Sequence, residues 1–413
     1  MASATGKLQQ YKFDSAFYED GAIVVHVTFV SKIPVFDTWR TDERLGAGAF
    51  GVVWRQKEIT TGELRAVKTI SKLQLNVREL EALVELQDRS DLFISLFGWY
   101  EDPHATHIAM EYIANGDLGR YIKENRAKSK ADARAITQQI LRGLVVLHER
   151  EICHRDLKPQ NILIASVSPI HVKITDFGIS KRAIDTSLRT NCGTIAYRAP
   201  ELLGLLPRNL KPGRSYSNAV DLWALGVVVH EILTSEIPFL EPDRDTNMAM
   251  TDQFATCDDT PEVDMELLFQ YCRDSALFPT KLLHTNGINN LWQDFVRSMM
   301  AVDPRDRPSA ADALNSRCFT EHDLEMLRNQ LGLLLSVEFR SAAITVILES
   351  KPGVLVAILH SFSGTTIQEL HRKATDMEFL EVAWLVGGTG LEAYFKGDLS
   401  SLQLPPWYGR IDL

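Results

Sequence analysis

The feature that most constrains this chain is a series of five short motifs that occur in a fixed order. They are a glycine-rich run at residues 45–53, an apolar stretch ending in Lys68, a polar run at 154–161, and the triplets at 176–178 and 199–201. Any single acidic residue among them could be an ordinary solvated loop residue. Five motifs in one order at these spacings do not arise by chance, so the series as a whole indicates one fold and one chemistry.

The first motif, LGAGAFGVV, has glycines at Gly46, Gly48 and Gly51. Glycine lets a backbone approach phosphate groups closely enough for its amides to face the anion. A dinucleotide-binding loop would need a strand-to-helix transition and an acidic residue about 20 positions further on. The flanking residues are strand-like instead, which predicts a β-hairpin that covers a nucleotide. An ordinary turn is the alternative interpretation.

The second motif ends an apolar strand with a lysine, Lys68, in the run Ala66-Val67-Lys68. Such a lysine is often an edge charge, but it can also point into a cleft. Glu79 lies in the helical stretch that follows. An ion pair between Lys68 and Glu79 would fix the ammonium group where it can hold α- and β-phosphates, whereas the same pair on the surface would contribute almost nothing to stability.

The hydrophobic pattern divides the chain into three parts. Residues 1–40 form an N-terminal extension with a predicted strand at 22–30. Residues 41–319 begin with short β-rich segments and one helix at 77–87, and continue with mostly helical periodicity that includes 131–150, 219–233 and 291–301. This pattern predicts an α+β fold with two lobes and a cleft between them. For residues 320–413, the sequence pattern predicts a helix followed by a small α+β module in ββαβ order.

The polar run HRDLKPQN, followed by Asp176-Phe177-Gly178 and Ala199-Pro200-Glu201, resembles the eukaryotic protein kinase family. The resemblance covers about residues 41–319 and implies the bilobal kinase fold. It also implies ATP and magnesium (Mg²⁺) as cofactors and a protein as substrate.

Roles follow from that resemblance residue by residue. Asp156 would accept the proton of the substrate hydroxyl, and Lys158 would steady the γ-phosphate. Asn161 and Asp176 would hold Mg²⁺ through hard oxygen ligands. Met110 would be the gatekeeper beside the adenine. The other predicted nucleotide contacts are the backbone groups of Glu111 and Ile113, the side chains of Val53, Ala66 and Leu163 around the ring, and Asp117 at the ribose.

Supporting residues also match the family. Leu83, Leu96, His154 and Phe177 resemble its stacked hydrophobic spine, with Asp221 as the anchor. Glu201 and Arg307 resemble its buried ion pair.

Lys158 and Thr194 imply serine/threonine specificity, because tyrosine kinases usually have a different tripeptide after the catalytic aspartate.

Thr190 lies where the family has its activating phosphothreonine, and Arg155 and Lys181 would pair with that phosphate. The alternative is that Thr190 is never modified. The loop text further resembles the calmodulin-dependent-kinase group, especially its checkpoint-effector members. Residues 321–335 are too acidic to predict calmodulin binding.

Composition limits the remaining options. A chain of 413 residues with net charge −10 indicates two or three structural units and argues against nucleic acid or a membrane as partner. Its five cysteines form no metal-type C-x-x-C pair, and their odd number suits a reducing compartment. Residues 1–10 also lack a secretory signal, so the chain is predicted to be cytoplasmic or nuclear. An upstream kinase and a ligand of residues 320–413 are further candidate partners. A pseudokinase scaffold that acts through residues 320–413 is the alternative function.

Overall fold

The computed structural model describes residues 4–48, 51–72, 77–177, 195–207, 218–239 and 263–319. The chain divides into two compact units, Met1–Ser316 and Arg317–Leu413. The module predicted for residues 320–413 lies outside the described residues, so it stays a prediction.

Seven strands form one antiparallel sheet in the amino-terminal lobe. In chain order they are β1 (Asp14–Tyr18), β2 (Ile23–Val30), β3 (Ile33–Gly48), β4 (Gly51–Glu58), β5 (Leu64–Ser71), β6 (Leu96–Glu101) and β7 (Ala105–Glu111). Their order across the sheet is β1-β2-β3-β4-β5-β7-β6. The strand predicted at 22–30 is β2, and β3 runs through residue 40, where the N-terminal extension was predicted to end. Helix α1 (Ala4–Gln10) precedes the sheet, and α2 (Val77–Glu85), the helix predicted at 77–87, follows β5.

The two ends of this sheet are joined by hydrogen bonds. Phe13, just before β1, donates its amide to the carbonyl of Trp99 in β6 at 2.8 Å, and the amide of Trp99 donates to Tyr11 at 2.8 Å. The Trp99 indole also donates to the carbonyl of Leu8 at 3.0 Å. A Cβ on Gly98 would overlap the Phe13 ring, so glycine is needed for this close approach. The sheet is therefore closed around its own core.

A buried arginine lies inside the closed sheet. Arg65 is 1% exposed, and its Nη2 donates to Gln56 Oε1 at 2.7 Å and contacts His26 Nε2 at 2.8 Å. Its guanidinium lies 4.0 Å from the ring centre of Trp39. Because Nε2 of His26 faces a donor, the ring proton resides on Nδ1, which is 2.7 Å from Ser15 Oγ. Neutral acceptors and an aromatic face thus surround this cation.

The buried His26 should make the stability of the fold fall as the pH drops. Burial, and secondly the charge of Arg65, lowers the pKa of His26 from 6.5 to about 3. The unfolded chain takes up a proton on His26 below pH 6.5, whereas the folded chain does not, so the free energy of unfolding falls as the pH drops. At 1.36 kcal/mol per pKa unit, this loss is about 2 kcal/mol at about pH 5.

Urea unfolding of the wild type and of His26→Gln, at about pH 7.5 and about pH 5, measures that loss. Glutamine keeps an acceptor for Arg65 but does not titrate. The wild type should therefore lose about 2 kcal/mol more than the variant between the two pH values. The neighbouring titratable groups Tyr100 and His107 are present in both proteins and cancel in the comparison. Equal losses would show that His26 is protonated in the folded chain.

The carboxyl-terminal lobe is mainly helical. Among the described residues, its helices are α3 (Leu118–Glu124), α4 (Arg126–Glu149), α5 (Ala219–Thr234), α6 (Met265–Arg273), α7 (Lys281–Thr285), α8 (Asn290–Met299) and α9 (Ala310–Leu314), and β8 (Ile162–Val167) forms a hairpin with β9 (Ile170–Ile174). Helix α5 is buried on all sides, which is typical of a core helix, and α4 packs against it and against β9. The helices predicted at 131–150, 219–233 and 291–301 are confirmed as α4, α5 and α8. Within the described ranges, no helix is long and apolar enough to cross a bilayer.

Candidate active site

Asp221 fixes the loop that contains the polar run. It lies in the first turn of α5, is fully buried, and accepts the backbone amides of His154 at 2.9 Å and Arg155 at 2.8 Å. His148 of α4 contacts it through Nε2 at 2.9 Å. Burial alone would raise the pKa of Asp221, but its hydrogen bond with His148 and the nearby charges hold that pKa below its usual value. The carboxylate therefore stays ionised and holds the loop in place.

Three side chains of the polar run come together beyond that anchor. Asp156 Oδ2 lies 2.9 Å from Lys158 Nζ and 3.1 Å from Asn161 Nδ2. Asn161 Nδ2 also donates to the Asp156 carbonyl at 2.7 Å. The backbone of Arg155 adopts a left-handed conformation with φ of 65°, which turns the chain immediately before Asp156. A carboxylate held by a lysine and an amide is suited to orient a hydroxyl group.

A second ion pair reaches this region from the amino-terminal lobe. Lys68 of β5 is 5% exposed, and its Nζ lies 2.5 Å from Asp176 Oδ1. Asp176 has a positive φ of 56°, which is uncommon for a residue other than glycine and is typical of functional sites. The next residue, Phe177, is fully buried and packs edge-on against His154, with ring centres 5.8 Å apart. This packing holds the Asp176 carboxylate in the cleft.

The predicted cation ligands Asn161 and Asp176 lie on adjacent backbone segments, because the amide of Thr175 donates to the Asn161 carbonyl at 3.0 Å. Both hydrogen bonds that Asn161 donates from its side chain go to Asp156, which leaves its amide oxygen as the ligand atom. Among the described residues, no group of three or more His, Cys, Asp or Glu side chains could hold a metal ion. Two hard oxygen donors fit Mg²⁺, which keeps waters and shares phosphate oxygens instead of filling an all-protein cage.

The glycine-rich run connects β3 to β4, and its described residues form a β-hairpin as predicted. Gly46 pairs with Val53, and Gly48 pairs with Gly51, whereas residues 49–50 lie outside the described part. Across β4 and β5, Val53 also pairs with Lys68. The backbone of this hairpin is therefore tied directly to the strand of the cleft lysine.

The predicted adenine contacts lie along one edge of the sheet and the following segment. Ala66 of β5 pairs with Met110 of β7, and Met110 is 8% exposed. Asp117 caps α3 by accepting the Arg120 amide at 2.9 Å, and it forms a backbone bridge with Leu163. The Glu111 amide donates to the Ser95 carbonyl at 2.9 Å, and Ile113 follows in the connection between the lobes.

The predicted spine positions are buried, and the predicted buried ion pair is present. Leu83 and Leu96 are 3% and 4% exposed, as expected for core positions. Arg307 makes a bidentate ion pair with Glu201, at 2.6 and 2.8 Å, and their side chains are 0% and 2% exposed. Further hydrogen bonds from Arg307 reach the carbonyls of Ala219 and Ala301 at 2.9 and 2.8 Å.

Several predicted residues cannot be placed. The side chain of Glu79 and all of Thr190, Thr194 and Lys181 lie outside the described residues, so the Lys68–Glu79 pair and the loop contacts stay predictions.

Sequence reasoning missed two partly buried contacts. Lys173 Nζ contacts both carboxylate oxygens of Glu111, at 2.6 and 2.9 Å. Tyr197 donates to Glu231 at 2.7 Å, and burial raises the pKa of Glu231 to about 7 although this hydrogen bond lowers it. No local motif in the sequence indicated either contact.

The fold and this arrangement are those of a protein kinase. The family model described as the protein kinase domain matches residues 39–319. The chain therefore belongs to the protein kinase family, and the predicted resemblance is confirmed.

Relatives of this chain include named serine/threonine-protein kinases. The serine/threonine-protein kinase RAD53 of Saccharomyces cerevisiae is 35% identical over 286 residues, which cover 66% of this chain and 32% of RAD53. The serine/threonine-protein kinase cds1 of Schizosaccharomyces pombe is 32% identical over 287 residues, or 67% of this chain and 57% of cds1. Human calcium/calmodulin-dependent protein kinase type 1B is 33% identical over 279 residues, or 66% of this chain and 72% of that kinase. The match thus spans about a third of RAD53 and little more than half of cds1.

A solved structure agrees with these relatives. The crystal structure of Rad53 1–466 in complex with AMP-PNP aligns with a TM-score of 0.52 and 35% identity, covering 67% of this chain and 64% of that one.

Proposed function

We propose that this chain transfers the γ-phosphate of ATP, with Mg²⁺, to serine and threonine hydroxyls of protein substrates. The observation that supports this most is the cluster of Asp156, Lys158 and Asn161 on one anchored loop. A second aspartate, Asp176, follows in the sequence and forms an ion pair with Lys68. Phosphoryl transfer needs little covalent chemistry from the protein, so positioning and charge are the main requirements. These residues supply both.

Asp156 would accept the proton of the substrate hydroxyl, and Lys158 would steady the transferred phosphate. Lys68, paired with Glu79, would hold the α- and β-phosphates. Asn161 and Asp176 would hold Mg²⁺, which when bound neutralises charge on the phosphates. Because these groups are fixed before substrate arrives, little reorganisation is needed during the reaction.

Adenine would bind against Val53, Ala66 and Leu163, below the glycines Gly46, Gly48 and Gly51. Met110 would limit the depth of the pocket. The backbone groups of Glu111 and Ile113 would recognise the adenine edge, and Asp117 would reach the ribose.

Selection of serine and threonine would depend on Lys158 and Thr194. Thr194 would bridge Asp156 and Lys158 and keep both oriented toward an aliphatic hydroxyl. The serine/threonine type of RAD53 and cds1 is consistent with this assignment.

Phosphorylation of Thr190 would activate the enzyme. A phosphate there would pair with Arg155 and Lys181 through charge-assisted hydrogen bonds. Arg155 is adjacent to Asp156, and its amide is already held by Asp221 at 2.8 Å. A phosphate bound to Arg155 would therefore order the loop next to the catalytic aspartate. An upstream kinase, or a second copy of this chain, would add it.

Thr190→Ala is expected to lower kcat/KM for a peptide substrate by about tenfold or more, because each charge-assisted hydrogen bond contributes about 1.5–3 kcal/mol. Steady-state kinetics on protein that has been incubated with ATP measures this effect. Thr186→Ala, in the same segment, is the matched control and should change little. Unchanged activity of Thr190→Ala would exclude the phosphothreonine switch.

A pseudokinase scaffold is the second candidate, and it would bind partners through residues 320–413 without turnover. The presence of Lys68, Asp156 and Asp176 in the cleft argues against it. A partner of residues 320–413 and a cytoplasmic or nuclear location are further parts of the proposal. The odd number of cysteines in the sequence, five, suits a reducing compartment and supports this location.

Transfer of radiolabelled phosphate from ATP to a basic peptide tests the function directly. Transfer should require Mg²⁺ and should stop when the metal is removed by EDTA. Nucleotide binding with no transfer, even after treatment with an activating kinase, would favour the scaffold.

A further inference from the structure

The β1–β2 hairpin lies before the region that matches the kinase family, which begins at residue 39, yet it belongs to the same sheet as the strand of Lys68. Its interior-facing residues Val24 and His26 are 1% and 2% exposed. The far end of β2 is different, since Phe29 is 67% exposed. The contribution of the hairpin to the lobe is therefore concentrated at its buried positions.

Among these buried positions, His26 makes a polar contact with Arg65 of β5, a strand that lies within the region that matches the kinase family. Nη2 of Arg65 has two hydrogens, and its two partners are Gln56 Oε1 at 2.7 Å and His26 Nε2 at 2.8 Å. Gln56 lies in β4, within the family match, whereas His26 comes from the added hairpin. Without the imidazole, one donor of a buried guanidinium would lose its partner, and such a donor is costly to leave unpaired.

Strand β5 connects this interior to the cleft. Side chains alternate along a strand, so Arg65 and Val67 face the interior while Ala66 faces the other side. Lys68 follows three residues after Arg65, and its Nζ lies 2.5 Å from Asp176. A shift of β5 that gives Arg65 a new partner would displace the backbone of Lys68 as well.

We propose that the β1–β2 hairpin is an integral part of the nucleotide-binding lobe and that His26, acting through Arg65, is a positioning residue for Lys68. The expected effect on kinetics rests on the proposed function, whereas the inclusion of the hairpin in the lobe does not depend on it. Since Lys68 would hold the α- and β-phosphates, His26 sets the affinity for ATP more than the rate of the chemical step.

Three variants of the full chain test the kinetic consequence. His26→Leu removes the acceptor and should raise KM for ATP by roughly fivefold or more, with a smaller change in kcat. His26→Gln restores an acceptor and should stay within about twofold of the wild type. Phe29→Ser, at the exposed end of the same hairpin, is the matched control and should have no effect. A folded His26→Leu protein with the KM of the wild type would overturn the positioning role.

Amide hydrogen exchange of the unmodified wild type tests the structural part without any turnover. The amides of β2 at residues 24–27 should exchange in the same slow class as those of β5, because both belong to one closed sheet. Exchange of β2 roughly a hundredfold faster than β5 would overturn the proposal, even if His26→Leu does not fold. If the β2 amides exchanged slowly but the wild type transferred no phosphate, the proposed function would be wrong and the hairpin would still be part of the lobe.

Discussion

Asp156→Asn is expected to lower kcat for peptide phosphorylation by about 10²–10⁴-fold, the range that a positioned general base contributes. Asparagine has nearly the same shape as aspartate and still offers an oxygen to Asn161, which now lies 3.1 Å from the carboxylate. It cannot accept the proton of the substrate hydroxyl, and it removes the negative charge 2.9 Å from Lys158 Nζ. The chemistry should therefore fail while the fold remains.

Two measurements on the same protein separate these effects. The affinity for AMP-PNP and the urea midpoint of Asp156→Asn should both match the wild type, because Asp156 contributes to neither the adenine pocket nor the core. Exposed Asp91, whose side chain is 59% exposed, provides the control substitution Asp91→Asn. If Asp156→Asn retained most of its activity, another group would have to be the base.

Arg307→Ala is expected to lower the free energy of unfolding by about 3–5 kcal/mol, because it leaves the Glu201 carboxylate buried and unpaired. Glu201 has a side chain only 2% exposed, so water cannot replace the guanidinium. The substitution also removes the donor to the Ala219 carbonyl at the start of α5. The measurement is urea unfolding followed by circular dichroism.

Arg305→Ala is the matched control, two positions away. Arg305 also forms an ion pair, with Asp303 at 2.5 Å, but its side chain is 78% exposed. Ion pairs exposed to water contribute little to stability, so the unfolding midpoint of this variant should remain close to that of the wild type. If both variants lowered the free energy of unfolding equally, burial of the Glu201–Arg307 pair would not explain its contribution to stability.

The arrangement of the polar run could be anticipated from its resemblance to the protein kinase family, because its residues are close in sequence. Asp156, Lys158 and Asn161 lie within six consecutive residues, and a tight loop of that length brings their side chains together. The helices α4, α5 and α8 were also predictable, since their apolar residues recur at helical spacing.

The role of the N-terminal residues was not predictable in the same way. His26 and Arg65 are separated by 39 positions, and no motif connects them. The period-2 pattern predicts that residues 22–30 form a strand, but it does not reveal the neighbour of that strand. Lys173 and Glu111, 62 positions apart, illustrate the same limit, because a long-range ion pair depends on sheet register and lobe packing.

Phosphoamino-acid analysis of a substrate protein labelled from radioactive ATP tests the central claim most directly. Wild-type chain with Mg²⁺ should place the label on serine and threonine, and the same reaction with Asp156→Asn should yield almost none. Label on tyrosine would contradict the role assigned to Lys158 and Thr194. Equal labelling by the wild type and by Asp156→Asn would contradict the assignment of this cleft as the catalytic site.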